Sequence, residues 1–119
     1  MALAKLGAVA LDCPDPRALA AFYAGVLGGT VEGDGRWIDL RLPEGGTLAF
    51  QAAPGYVPPK WPSPEASQQI HLDLTVEDLD AAEAAVLALG AKVLDAETGG
   101  ESWRVYADPA GHPFCLCAC

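Results

Sequence analysis

Few side chains in this sequence could do chemistry, and most of them lie in its second half. His71 and Asp73 stand two residues apart. On a strand they would share a face, close enough to act as a proton-transfer pair or to hold a ligand's polar edge. The alternative is a hydrogen-bonded, inert His71. The other histidine, His112, sits between Gly111 and Pro113 and reads as a turn residue. Of the four cysteines, Cys13, Cys115, Cys117 and Cys119, three recur at period 2 and would share one strand face. That spacing is too tight for a disulfide scaffold and contains no CxxC pair. It suits small buried hydrophobes in a reducing compartment, with soft-metal binding by Cys115 and Cys117 as the other reading. A nucleophilic Cys115 would need a base and an electropositive setting, and its surroundings are acidic. A phosphate loop, a Ser-His-Asp spacing and a nucleotide-binding glycine fingerprint are all missing. Trp37, Trp61 and Trp103 remain as large aromatic surfaces.

The chain that must position these groups has 119 residues, enough for one domain. It is 51% hydrophobic and 19% charged, which argues against disorder. No apolar run approaches the ~20 residues of a membrane-spanning helix. Met1 to Lys5 lack the apolar core of a secretion signal, so a soluble, cytoplasmic domain is expected. The net charge is −9, and Glu65 to Asp108 holds ten acids against Lys92 and Arg104. Such a field repels nucleic acid and anionic membranes and favours neutral or cationic small molecules; solubility alone is the simpler reading.

The sequence repeats itself. Trp37, Pro43 and Gly45 return as Trp103, Pro109 and Gly111, each displaced by 66 residues. Asp15 returns as Asp78, displaced by 63, and Leu27-Gly28 as Leu89-Gly90, displaced by 62. The first module, about 5–53, reads as a strand near Gly7 to Cys13 and then a helix. Asp15 is that helix's N-cap, Pro16 lies in its first turn and Gly28 ends it. Leu19, Phe22, Tyr23, Val26 and Leu27 form its apolar face. Strands near Thr30 to Glu32, Arg36 to Leu42 and Thr47 to Ala52 follow. The second module, about 69–119, gives a strand at Ile70 to Val76 and a helix from about Leu79 to Leu89. Leu79, Ala82, Val86 and Leu89 would line that helix's inner face, with strands near Lys92 to Leu94, Ser102 to Ala107 and Phe114 to Ala118 after it. Between the modules, about 54–68, lies a proline-rich linker carrying Trp61, which either closes over an apolar opening or plugs a gap.

Two tandem βαβββ modules of this size resemble the vicinal oxygen chelate superfamily, which includes glyoxalase I, extradiol dioxygenases, fosfomycin-resistance enzymes and bleomycin-resistance proteins. The resemblance spans nearly the whole chain. It rests on Leu11-Asp12-Cys13-Pro14-Asp15-Pro16, on His71-Leu72-Asp73-Leu74-Thr75-Val76-Glu77-Asp78-Leu79 and on Tyr106-Ala107-Asp108-Pro109-Ala110-Gly111-His112-Pro113-Phe114. Together with Leu48-Ala49-Phe50-Gln51 and the Trp-containing linker, these stretches point to the glyoxalase-like branch common in high-GC bacteria. The resemblance implies an α+β fold, a curved, cup-like mixed sheet with its helices outside. In metal-using members, two His and two Glu or close variants point into the cup from the first and last strands of each module. The matching positions here are Ala8, Gln51 (or Ala49, two residues away on the same face), His71 and Cys115. Both carboxylates are missing, so no cofactor is expected, although Asp73 or Asp12 could lend an oxygen.

What is left for a cup is a lining of aromatic and polar residues. Alternation puts Trp37, Asp39 and Arg41 on one face and Ile38, Leu40 and Leu42 toward the helix. Trp103 holds the repeat-equivalent place of Trp37. The expected function is a metal-free small-molecule-binding protein of the bleomycin-resistance type, sequestering an aromatic or cationic organic ligand. Its ligand-binding candidates are Trp37, Gln51, Trp61, His71, Asp73, Trp103 and Cys115. The alternative is a lyase, isomerase or dioxygenase-type enzyme using His71 as acid or base, or an altered metal-ligand set. A homodimer is expected, because small superfamily members pair modules across subunits.

Overall fold

The computed structural model describes residues 2–60 and 70–118. The chain divides into two compact units, Met1–Tyr56 and Val57–Cys119. The first holds β1 (Val9–Cys13), α1 (Pro16–Leu27), β2 (Thr30–Asp34), β3 (Trp37–Arg41) and β4 (Thr47–Ala52). The second holds β5 (Leu72–Thr75), α2 (Leu79–Ala88), β6 (Lys92–Asp95), β7 (Trp103–Ala107) and β8 (Pro113–Cys117). Each is a βαβββ module with its own mixed four-stranded sheet, in the orders β1-β4-β3-β2 and β5-β8-β7-β6. The first strand of each module pairs parallel with the last, and the other pairs are antiparallel.

Local chemistry explains the element ends. Asp15 and Asp78 cap their helices, each carboxylate accepting a backbone N–H three residues on, at 3.2 Å from Ala18 and 3.1 Å from Ala81. Gly28 and Gly90 leave the helix ends at φ 74° and 114°, conformations that L side chains rarely adopt. A Cβ on Gly28 would lie 3.5 Å from Pro43 Cγ, and one on Gly90 would lie 3.5 Å from Pro109 Cγ. The repeated glycine and proline therefore meet in both units. The closing turns match as well: Leu42 N–H donates to Gly46 O at 3.0 Å, and Asp108 N–H to His112 O at 2.9 Å.

In the first unit Leu11, Cys13, Ile38, Leu40, Leu48 and Phe50 are buried on the sheet face that meets α1, whose Leu19, Phe22 and Tyr23 are buried too. Tyr23 stacks on Phe50 with ring centroids 5.8 Å apart. The second unit buries Val105, Tyr106, Phe114 and Leu116, and Tyr106 stacks on Phe114 at 5.6 Å.

Its helix departs from the expected face. Leu79 and Val86 are buried, but Leu89 is the C-cap and is exposed. The helix ends at Ala88, so the last apolar residue of the pattern falls beyond it. Glu83 comes inward instead, accepting the Tyr106 hydroxyl at 2.8 Å, and Arg104 bridges Asp80 at 2.8 Å and Glu83 at 3.4 Å.

Candidate functional site

Strand pairing in the second unit opposes Asp73 to Cys115, Thr75 to Cys117, Val105 to Cys115 and Trp103 to Cys117. With His71 two residues before Asp73, these side chains fall on the sheet face away from α2. Six of them, His71, Asp73, Trp103, Val105, Cys115 and Cys117, line an open cavity of about 290 Å³. The lining is polar at one end and apolar elsewhere. At the polar end His71 Nε2 lies 3.1 Å from Asp73 Oδ1. One donor atom from each of His71, Asp73 and Cys115 falls within 4.8 Å of the other two.

Burial, the charge of Asp73 and a hydrogen bond to its carboxylate push the Cys115 thiol up to about 11. It stays protonated at neutral pH and donates to Asp73, so it is no nucleophile in this state. Trp103 is held from below by Gly99, which has no room for a Cβ beneath the Trp103 indole and carbonyl. Sequence reasoning missed Val105 and Cys117 as lining residues. Both were findable by parity, since Val105 follows Trp103 and Cys117 follows Cys115 by two positions.

The first unit places its candidates on the corresponding face. Trp37 opposes Gln51 and Asp39 opposes Ala49. Trp37 Nε1–H donates to Asp39 Oδ1 at 2.8 Å, and Trp37 is 45% exposed. Arg41 pairs with Glu32 at 2.7 Å. The pairing also resolves which first-unit residue matches Cys115. Ala49 opposes Ala10 and Asp39 as Cys115 opposes Asp73 and Val105, so Ala49 is the counterpart of Cys115 and Gln51 that of Cys117. The counterparts of His71, Asp73 and Cys115 are thus Ala8, Ala10 and Ala49. Within the first unit, methyl groups therefore stand at the positions that match the second unit's three donors, while Asp12, Asp39 and Gln51 lie on the same face of the sheet.

Other sequence candidates take their places plainly. His112 is a turn residue: its ring lies 2.9 Å from the buried Asp108, which also accepts N–H groups from Ala110 and His112 at 2.8 and 3.0 Å. Cys13 is buried as expected of a small hydrophobe. The expectation of reduced cysteines fails at Cys117, which is disulfide-bonded. Trp61 and Cys119 lie outside the described residues. Among the described residues, no helix is long and apolar enough to cross a membrane.

Residues 8–117 match the family described as glyoxalase-like domain. Among solved structures, a glyoxalase/bleomycin resistance protein/dioxygenase family enzyme from Burkholderia phytofirmans is 20% identical with a TM-score of 0.74, the match covering 95% of this chain and 97% of that one. A variant of the fosfomycin resistance protein FosX from Listeria monocytogenes, complexed with Mn(II) and a dihydroxypropylphosphonic acid, is 13% identical with a TM-score of 0.74, covering 99% and 94%. The oxidase ChaP-H2 is 19% identical with a TM-score of 0.67, covering 97% and 93%. At these identities the likeness is one of fold. No curated protein matches the sequence.

Proposed function

The chain belongs to the glyoxalase-like domain family, and from that premise we propose that it binds and sequesters a small organic ligand, flat and aromatic or cationic, without a metal shared between its modules. The observation that carries this reading is the composition of the second-unit cavity. Trp103, Val105, Cys115 and Cys117 offer an apolar wall, and the His71–Asp73 pair offers a hydrogen-bonding, anionic end. Stacking on an indole contributes about 0.5–1.5 kcal/mol beyond area burial, and a cation over the ring a similar amount. Asp73 adds a charge-assisted hydrogen bond. These contributions add to the burial of the ligand's apolar surface and draw on no metal.

Calorimetry with a panel of planar organic cations, run in chelator, tests the reading. Saturable binding is expected, weakened about tenfold by Trp103→Ala, or about 1.4 kcal/mol. Asp73→Asn should cost cations more than neutral analogues. No saturable binding across the panel, or equal affinity in Trp103→Ala, overturns it.

One contact favours a second reading, an isomerase or lyase-type enzyme. The Asp73 carboxylate at 3.1 Å orients the His71 imidazole as a partner orients a general base. Turnover of any ligand in the panel, lost in His71→Gln, would establish it. A cytoplasmic location belongs with the sequestration reading as a proposal. Disulfides are uncommon in that compartment, so Cys117 recovered oxidised from cells lysed in alkylating agent would count against it.

A further inference from the structure

A second cavity, of about 330 Å³, opens in the first unit between the end of α1 and the β3–β4 turn. Val26, Leu27, Leu42, Pro43, Glu44 and Gly45 line it, so its wall is aliphatic and its one ionisable group is a carboxylate. No basic residue in the last turn of α1 answers the partial negative charge of that helix's C-terminal carbonyls. Ahead of β1, residues 2–8 carry the complementary chemistry. Leu3 and Leu6 are 104% and 82% exposed, and Lys5 stands between them. We propose that residues 2–8 form a strap that folds back over this cavity, seating Leu3 and Leu6 on its aliphatic wall and Lys5 against Glu44.

Strand pairing puts the strap beside its cavity. β1 runs parallel to β4 with Val9 opposite Leu48, so the chain leaves the sheet at Ala8 next to the turn that walls the cavity. β3 lies two strands from β1, about 10 Å away, and an extended stretch over residues 3–7 reaches about 17 Å. Extended backbone with three residues per turn sets Leu3 and Leu6 on one side and turns Lys5 toward the rim. The repeat supplies a comparison. In the second unit a Cβ on Gly111 would lie 2.6 Å from Pro58 Cβ, so the chain ahead of β5 already packs on that turn. Gly45, the counterpart of Gly111, meets nothing within 4 Å, and the chain ahead of β1 is the segment placed to cover it. Burial of two leucines drives the closure against the entropy of ordering the strap. A strap tethered to its own unit meets the cavity at far higher effective concentration than one from another copy, so the occupant is the chain's own. The organic-ligand site lies in the second unit, and neither reading depends on the other.

The test uses the full chain and two readouts. Nuclear Overhauser contacts should join the Leu3 or Leu6 methyls to those of Val26, Leu27 or Leu42. Trypsin cuts after lysine, so a seated strap protects the bond between Lys5 and Leu6 in proportion to the time it spends closed. Glu44→Gln and Val26→Thr, both remote in sequence from that bond, should each speed its cleavage by at least about threefold, measured against cleavage after Lys60 as internal reference. Glu44 lies on an exposed turn, so Glu44→Gln keeps the test informative should Val26→Thr fold poorly. Asp34→Asn, an equal loss of charge beside the far end of β3, should leave the rate unchanged. Absence of the methyl contacts overturns the proposal, as does a cleavage rate unchanged in Glu44→Gln. Contacts that appear only between labelled and unlabelled chains in a mixture overturn it too, by assigning the cavity to a second copy.

Discussion

At the scale of single residues, the candidate site depends on one glycine as much as on its polar groups. Gly99 lies under Trp103 with no space for a side chain, so the indole's position follows from the absence of a Cβ there. Gly99→Ala should therefore move Trp103 without touching any lining residue. The expected result is a shifted tryptophan emission and organic-ligand affinity reduced toward that of Trp103→Ala, with the circular dichroism of the strands retained. An unchanged emission maximum and affinity would show that Trp103 is positioned from elsewhere. Residue by residue, the sequence made much of this site legible. The i, i+2 spacing of His71 and Asp73, and of Cys115 and Cys117, places each pair on one face by strand geometry alone. It put Gln51 first as the counterpart of Cys115, with Ala49 second, and could not separate them further because a shift of two preserves the face. Only the cross-strand pairing of Ala49 with Ala10 and Asp39 decides between them.

At the scale of elements, the two helices show what periodicity can and cannot reveal. The residues of α1 that touch the sheet are large and apolar, so Leu19, Phe22 and Tyr23 announce their face. The inward side of α2 mixes alanines with Glu83, whose role depends on Tyr106 and Arg104 arriving from β7. No local pattern foretells a partner supplied by a distant strand. The network has a pH signature. Burial, followed by the hydrogen bond and charge of Glu83, pushes the Tyr106 hydroxyl up to about 12 from its ordinary value of 10.0, with Arg104 opposing. The folded state thus holds this proton more tightly than the unfolded chain. Its contribution to stability is complete below about pH 10 and is lost as pH rises through 10 toward 12. Tyr106→Phe should cost about 0.5–1.5 kcal/mol near neutrality through the lost hydrogen bond. It should also flatten the fall in stability between pH 9.5 and about 11 in denaturant titrations. Parallel alkaline losses in the two proteins would place the sensitivity elsewhere.

At the scale of the whole molecule, the two repeats differ in what they bury and in what they expose. The first unit keeps an apolar helix–sheet interface and alanines at positions 8, 10 and 49, while the second carries ion pairs between its helix and β7 and all three clustered donors on its open face. The second unit also leaves apolar side chains in water. Leu87, Leu89, Val93 and Leu94 are all about 40% exposed, within a stretch running from the end of α2 into β6. Among the described residues β6 is an edge strand of its sheet, next to β7, and an edge with exposed apolar residues invites pairing with another chain. With a net charge of −9, separate copies repel at long range, so association must come from short-range apolar burial rather than from charge. A homodimer through this edge meets both conditions, since like surfaces associate through a two-fold axis. Light scattering at tens of micromolar should give twice the 12.3 kDa chain mass. Added salt should tighten the dimer by screening the repulsion. Val93→Lys should return the protein to monomer by placing a charge on the edge strand, with helix and strand content unchanged. A monomer at all concentrations and salt levels would remove the dimer. A dimer unaffected by Val93→Lys would move the interface away from β6.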